Sequence, residues 1–156
     1  MYRTILVPLD GSPRAEAILP HVEDLAARYE AKVVFVRVIE PVPYVMGPGP
    51  EGIPVMLHEQ ELKQRADQAR EYLKAQQGEF RERGIAASVH ILHGPSVEAI
   101  LEAAEQEDAD LIAIASHGRS GLSRVFYGSV AAGILHRADR PLLVVRAQKK
   151  LEKADR

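Results

Sequence analysis

The sequence predicts an α/β protein in which helices cover both faces of one parallel β-sheet. Short apolar or β-branched runs alternate with longer segments of helical periodicity throughout the 156 residues. One such run, Lys32–Ile39, shows little polar alternation, as expected for a strand that is covered on both faces. Because right-handed crossovers join parallel strands, we expect a doubly wound, three-layer α/β/α sandwich.

The first strand is expected at the apolar residues 5–9, which lead into the turn DGSP at residues 10–13. In that turn Ser12 can cap a helix, and Pro13 suits the first helical turn. Apolar residues of the following helix recur on one stripe, at Ile18, Val22, Leu25 and Tyr29. Pro20 falls inside this pattern and predicts a kink.

Residues 40–56 contain five prolines and three glycines, a density that neither helix nor strand tolerates. We therefore predict a long loop, either a plain connection or a flap over a binding site. A helix is predicted over residues 57–83, with Gly78 weakening its last turns and Gly84 as the stop.

The second half of the chain continues the alternation. Strands are predicted at residues 87–92, at 111–115 and at the run Leu142-Leu143-Val144-Val145, and helices begin near Ser96 and Ser129. The length suits a single domain. We assign that domain to residues 1–146 and a charged tail to residues 147–156.

Composition excludes several classes of function. Twenty Lys and Arg against 22 Asp and Glu leave a net charge of -2, so no general positive field attracts nucleic acid or an anionic membrane. The absence of cysteine removes disulfides and thiolate chemistry. Without a signal peptide or an apolar span, we expect a cytoplasmic protein. His90 and His93 point to opposite faces of a strand, so no metal site is expected there.

Ligands of doubly wound sheets bind outside the carboxyl ends of the strands, where the strand order switches. This rule directs attention to Asp10, Val38, His93 and the loop after Ala115. The first βα turn lacks both G-x-G-x-x-G and the G-x-x-x-x-G-K-[ST] phosphate loop. No G-x-S-x-G elbow is present either, which argues against a serine hydrolase.

The segment from residue 115 to residue 129 can bind phosphate without a lysine. Backbone N–H groups and a helix N-terminus can hold several phosphate charges when glycines let the chain come close, as Gly118 and Gly128 would. Ser129 can cap the helix and offer its hydroxyl, and Arg119 and Arg124 can add full charges. An ordinary βα loop is the alternative that spacing alone leaves open.

Over residues 2–146, several segments resemble those of the universal stress protein family in their order and spacing. They are ILVPLDGS at residues 5–12, ADLI at 109–112, SHGRSGL at 116–122, GSV at 128–130 and RPLLVV at 140–145. The resemblance implies a Rossmann-like fold, and we expect five strands in the order 3-2-1-4-5.

The ATP-binding branch of that family has the pattern Gly, two residues, Gly, nine residues, then Gly and Ser or Thr. The chain is similar to it at Gly118, Gly128 and Ser129, but Ala115 replaces the first glycine. Where the backbone keeps the extended geometry of a strand, alanine adds only a methyl group. We therefore expect Ala115 to be compatible with binding.

The resemblance implies that Asp10 lies beside the nucleotide sugar, that Val38 contacts adenine, and that Val130 continues the phosphate-binding turn. Asp10 can alternatively be a turn residue that bonds its own backbone. The complete expected set of nucleotide-binding residues is Pro8, Asp10, Val38, Ala115, His117, Gly118, Arg119, Gly128, Ser129 and Val130. The expected ligand is ATP, or else ADP or AMP, together with Mg²⁺.

No set of catalytic residues supports turnover of the nucleotide, because only Asp10 and His117 are nearby candidates for a general base. We therefore expect a nucleotide-dependent stress or signalling regulator. The resemblance also implies a homodimer that pairs through the final strand, residues 142–145, an apolar strand at a sheet edge. Two alternatives stay open, a dimeric scaffold that ignores nucleotides and a slow ATP hydrolase.

Overall fold

The computed structural model describes residues 1–41, 53–117 and 128–147. Its strands are β1 (Thr4–Pro8), β2 (Lys32–Ile39), β3 (Ala87–His93), β4 (Leu111–His117) and β5 (Leu142–Ala147). Its helices are α1 (Leu19–Tyr29), which a short 3-10 helix (Ala15–Ile18) precedes, α2 (Ile53–Glu82), α3 (Ser96–Gln106) and α4 (Ser129–Arg137). Among the described residues, no helix is both long and apolar enough to cross a membrane.

The five strands form one parallel sheet in the order β3-β2-β1-β4-β5, which confirms the predicted fold class and strand order. Alternate residues of the strands supply two separate cores. The core under α1 and α2 contains Phe35 and Phe80, whose rings meet edge to face with centroids 5.0 Å apart. The core under α3 and α4 contains Ile100 and Ile134. The sheet is therefore covered on both faces, as the apolar strands predict.

Two charged residues of the segments that carry the family resemblance serve the fold. The carboxylate of Asp110 accepts hydrogen bonds from the backbone N–H groups of Arg3 and Thr4, at 2.9 and 3.2 Å, and so fixes the start of β1 beside β4. The guanidinium of Arg140 donates to the carbonyls of Ala104 and Ala109, at 2.8 and 2.9 Å. The Ala104 carbonyl also accepts from the N–H of Ala109 at 2.9 Å, so Arg140 reinforces the junction between the end of α3 and the segment that leads into β4.

The boundary predicted between the proline-rich loop and α2 was wrong. The helix begins at Ile53 rather than at residue 57, so residues 53–56 are helical. Pro54 is compatible with this start because the first turn of a helix has N–H groups without intrahelical acceptors, and proline lacks that donor. Residues 42–52 lie outside the described residues, as do residues 148–156 of the predicted tail, and the flap stays a prediction.

Pro20 does not kink a helix. The 3-10 helix ends at Ile18, and α1 starts at Leu19, so Pro20 occupies the first turn of the α-helix. At this position proline costs no hydrogen bond and its fixed φ suits the helix. The apolar periodicity predicted one continuous helix because it does not distinguish 3-10 from α geometry over a single turn.

Gly78 lies inside α2, where the helix continues to Glu82. A Cβ added at Gly78 would meet no atom within 4 Å outside the local helix backbone. We therefore expect Gly78→Ala to raise the free energy of unfolding by about 0.5–1 kcal/mol, because alanine restricts the unfolded chain and favours the helix. Urea denaturation measures the change, and an unchanged or lower stability would contradict it.

Candidate functional site

A cleft of about 260 Å³ opens beyond the carboxyl ends of β1, β2 and β4, on the face of the sheet that α3 and α4 cover. This position agrees with the rule that ligands of doubly wound sheets bind where the strand order switches. Seven of the ten residues expected to bind a nucleotide line the cleft: Pro8, Asp10, Val38, Ala115, Gly128, Ser129 and Val130. Residues more than a hundred positions apart in sequence therefore meet around one hollow.

The other three expected residues have different positions. His117 is the last residue of β4, in register with Ala147 of β5. Gly118 and Arg119 lie outside the described residues, as does Arg124. His93, the strand end of β3, is not among the residues that line this cleft, because β3 is the edge strand and β2 separates it from β1.

The floor of the cleft is apolar. Val36 and Val38 are two positions apart in β2, so their side chains lie on the same face of the sheet. Ile114 of β4 and Ile100 of α3 complete the floor of the cleft. Such a surface suits a flat, largely apolar group such as an aromatic base. The sequence analysis named only Val38 of these four, because the periodicity that marks a residue as buried does not show which buried residues border a cavity.

The N-terminus of α4 forms one wall of the cleft. Gly128 is the N-cap residue, with φ -54° and ψ 158°, and among the described residues no side chain caps the helix. The sequence analysis expected Ser129 to be the cap, but Ser129 is the first helical residue, one position later. The first N–H groups of the helix have no acceptor within the helix, and the helix dipole adds partial positive charge there. This wall can therefore bind an anion.

Gly128 does not need glycine for its backbone geometry, since a φ of -54° is available to any residue. What glycine contributes there is the absence of a side chain beside the first turn of α4. Ala115 likewise lies within β4 and pairs with Val145, so it keeps extended geometry. The departure from the family's glycine pattern at this position consequently adds a methyl group without backbone strain.

The turn after β1 places Asp10 at the mouth of the cleft. The backbone N–H of Ser12 donates to Asp10 Oδ1 at 2.8 Å, and Ser12 Oγ accepts from the N–H of Ala15 at 3.1 Å. Asp10 is therefore a turn residue, as the alternative interpretation held, and its side chain also lines the cleft. The two functions are compatible because a carboxylate has acceptor sites for more than one donor.

Arg37 lies behind this turn, and the sequence analysis did not identify it. Gly11 has φ +82°, a backbone geometry that favours glycine, and a Cβ there would overlap the Arg37 guanidinium, which would have to shift. Tyr72 of α2 donates to a Glu16 carboxylate oxygen at 2.8 Å, and burial together with this bond raises the pKa of Tyr72 far above its ordinary value. These contacts fix the turn against β2 and α2.

Burial by itself raises the pKa of Asp10, but hydrogen bonding by Ser12 and the charge of Arg37 hold it below the ordinary value. A carboxyl whose pKa is lower in the folded state stabilises the fold above its unfolded pKa, and that stabilisation disappears as the pH falls through the folded pKa. We expect Asp10→Asn to be less stable than the wild type at pH 7. The difference should begin to shrink as the pH falls through about 4, the ordinary pKa of an aspartate, and should disappear only at lower pH, below the folded pKa. Urea denaturation at a series of pH values measures it, and a constant difference would contradict this assignment.

His90 and His93 form no metal site in the part of the chain that the structure describes, where no cluster of three potential metal ligands occurs. His90 Nε2 lies 3.0 Å from one oxygen of Glu107, and Lys32 Nζ lies 2.9 Å from the other. Glu107 follows the last residue of α3. His90 consequently has a structural partner in Glu107, which also holds Lys32 at the start of β2.

Three comparisons with known proteins agree with this architecture. The universal stress protein MJ0531 of Methanocaldococcus jannaschii is 32% identical over 150 residues, which cover 96% of this chain and 85% of the relative. The solved structure of MJ0577 from the same organism has a TM-score of 0.77 at 29% identity and covers 96% of this chain and 99% of its own. A structure of an Arabidopsis thaliana universal stress protein with AMP bound shares the fold, with a TM-score of 0.63 at 16% identity and coverage of 98% and 97%.

Residues 1–146 match the sequence profile of the universal stress protein family, which is nearly the range that the sequence analysis assigned to it. The family assignment, the sheet order and the position of the cleft are consistent with one another. This chain belongs to the universal stress protein family.

Proposed function

We propose that this protein is a cytoplasmic regulator that binds ATP, or ADP or AMP, and that responds to the nucleotide without consuming it. The observation that carries the proposal is the composition of the cleft. An apolar floor, a carboxylate at the mouth and the N-terminus of α4, whose N-cap is a glycine, border the same hollow. These three features match the base, the sugar and the phosphates of a nucleotide.

In this arrangement the adenine lies against Val38 and the neighbouring apolar floor, on the side of β2. The sugar hydroxyls donate to Asp10, which remains ionised because its pKa is low. The phosphates accept hydrogen bonds from the first turn of α4 at Gly128, Ser129 and Val130. Mg²⁺ accompanies the polyphosphate and is bound through its oxygens rather than by a cluster of protein ligands.

The Arabidopsis protein supports the proposal only through its fold, because that protein has the same fold and has AMP bound. What supports it for this chain is the agreement between the residues expected from the family resemblance and the residues that border the cleft. Neither observation depends on Gly118 or Arg119, for which the roles rest on the sequence pattern.

Analysis of purified protein tests the proposal. The protein is denatured, any released nucleotide is identified by chromatography, and the refolded or nucleotide-free protein is titrated with ATP, ADP and AMP by calorimetry, with and without Mg²⁺. We expect at least one adenine nucleotide to be carried or bound. Protein that is persistently empty and that ignores all three nucleotides would favour the nucleotide-independent scaffold.

Slow hydrolysis is the second alternative. Among the described residues that line the cleft, Asp10 is the one carboxylate, and its low pKa makes it a weak general base at neutral pH. We therefore expect bound ATP to persist for hours. Steady phosphate release from the wild type, well above that of a variant that does not bind ATP, would establish a hydrolase instead.

We also propose a homodimer that forms through β5. This strand lies at one edge of the sheet, with β4 on its other side, and it extends to Ala147, two residues beyond the predicted run. Its apolar residues Leu142, Leu143, Val144 and Val145 are only partly covered within one chain. A partly apolar edge strand favours pairing or covering by a second chain. Light scattering that finds only monomer at high concentration would contradict this proposal.

A further inference from the structure

We propose that Ser96, with its hydroxyl proton held by Glu40, selects adenine over 6-oxopurines by accepting a hydrogen bond from the 6-amino group of the base. The inference rests on the proposed nucleotide site and adds a specificity determinant to it. Neither residue belongs to the glycine pattern, and the sequence analysis assigned no role to either side chain.

The sheet brings the two side chains together. Glu40 directly follows β2, and Ser96 is the first residue of α3, three residues after the end of β3. Because Ile39 and His93 are in register at the ends of these two paired strands, the chain segments that follow them start side by side. Ser96 Oγ donates a short hydrogen bond to Glu40 Oε1, and Ser96 also lines the cleft.

The direction of this bond determines what Ser96 can offer a ligand. A hydroxyl carries one proton and two acceptor lone pairs, whereas an ionised carboxylate has no proton to donate. Ser96 must therefore be the donor in its bond with Glu40. Toward the cleft its oxygen can then only accept, so it favours a ligand group that carries a proton.

The position of Ser96 suits the base rather than the phosphates. The proposed phosphate site at the start of α4 follows β4, whereas Ser96 and Val38 lie at the ends of β3 and β2. β1 separates β2 from β4, and neighbouring strands are about 4.8 Å apart, so the two ends of the cleft are about 10 Å from each other. A nucleotide whose phosphates contact the first turn of α4 consequently extends its base toward Val38, on the β2 side of the cleft. Glu40 directly follows that strand and holds the Ser96 hydroxyl on the same side.

Purines differ in whether the group at position 6 donates or accepts a hydrogen bond, and an acceptor oxygen on Ser96 distinguishes between the two. Adenine carries an amino group that donates, whereas guanine and hypoxanthine carry a carbonyl oxygen that accepts. An acceptor on Ser96 bonds the amino group and opposes the carbonyl. When an acceptor of the site faces an acceptor of the ligand, both groups lose a hydrogen bond. The loss of affinity is then larger than the loss from a single missing contact.

Calorimetric titration with ATP and ITP tests this inference; the bases of the two nucleotides differ in the group at position 6 and in the proton that hypoxanthine carries on the neighbouring N1. We expect the wild type to bind ATP at least tenfold more tightly than ITP, and Ser96→Ala to reduce that ratio to about twofold, chiefly by weakening ATP. Glu40→Gln places an amide beside Ser96. Since an amide can donate to the hydroxyl, the hydroxyl proton becomes available to the carbonyl of ITP, and we expect ITP binding to strengthen.

Glu102→Gln provides a matched control, because Glu102 is exposed on α3 and bonds only Gln106 among the described residues. It should leave the ATP-to-ITP ratio unchanged, and circular dichroism should show that all variants fold. A wild-type ratio in Ser96→Ala, or an equal loss of both nucleotides, would overturn the specificity assignment while the nucleotide site stands. Failure of the wild type to bind ATP at all would instead overturn the proposed function together with this inference.

Discussion

Gly128→Asp is expected to abolish ATP binding while the protein remains folded. Gly128 is the N-cap of α4 and lines the cleft, so an aspartate there places a carboxylate where the phosphate oxygens should bind. Repulsion between these charges, and competition for the same N–H groups, should reduce the affinity at least about a hundredfold. Calorimetric titration with Mg-ATP measures the loss.

The fold should tolerate this change for a specific reason. The φ of Gly128 is negative, and aspartate is among the preferred N-cap residues, so its side chain can cap α4 where glycine has no side chain to do so. We expect the free energy of unfolding to stay within about 0.5 kcal/mol of the wild type or to rise slightly. Loss of binding therefore cannot be attributed to unfolding, and circular dichroism with urea denaturation checks this.

Two control variants test whether the loss of ATP binding comes from the charge of the new side chain, from its size or from its position. Gly128→Asn has nearly the same size and also caps a helix, but it is neutral, so it should bind ATP more tightly than Gly128→Asp. Gly78→Asp adds the same charge to α2, away from the cleft, and should bind like the wild type. ATP affinity in Gly128→Asp equal to that of the wild type would remove the proposed site. From the sequence pattern we expect Gly118→Asp to behave like Gly128→Asp, although Gly118 lies outside the described residues.

Gly133→Ala is expected to lower the free energy of unfolding by about 1–3 kcal/mol. Gly133 lies in the middle of α4, where alanine ordinarily stabilises a helix. Here, however, a Cβ would lie 2.6 Å from Val97 Cγ2 and 3.3 Å from Val97 Cγ1. Valine is branched at Cβ and has restricted rotamers in a helix, so it cannot move aside easily. The two helices must separate, and urea denaturation measures the cost.

A second substitution tests whether the contact with Val97 is the cause. Val97→Ala removes both methyl groups that oppose the added Cβ, so the double variant should be more stable than the sum of the two single effects by at least about 1 kcal/mol. Additive effects would place the cost of Gly133→Ala elsewhere. The same chemical change should thus have opposite signs at Gly78 and Gly133, because only one of these glycines faces another helix.

Much of the fold followed from local patterns. Lys32–Ile39 was predicted residue for residue, because a long β-branched run that is buried on both faces has few alternative conformations. Strand boundaries differ from the predictions by one or two residues, as where β1 ends at Pro8 and β4 at His117. The helix boundaries that were wrong involve prolines, whose effect depends on position within a helix. Pro20 and Pro54 both lie in first turns, where proline is tolerated, rather than in the interior or in a loop.

The candidate site was partly predictable for the same reason. Asp10, Gly128 and Ser129 stand at the junctions between strands and helices, and such junctions can be located from periodicity and turn residues. The shift of the N-cap from Ser129 to Gly128 is a difference of one residue, which the preference of serine for caps obscured. The rest of the lining, including Val36, Ile100 and Ser96, carried no local sign of its position beside a cavity.

Short segments carried enough information to predict the class of fold and the family, because these depend on periodicity and on local motifs. The same segments marked the strand ends that border the cleft. The tertiary structure decided which side chains meet: Arg37 over Gly11, Val97 against Gly133, and Ser96 with Glu40. Those partners are 26 to 56 positions apart. Their contacts arise only when the sheet order places β2 beside both β1 and β3 and packs α3 against α4, and no local pattern encodes that proximity.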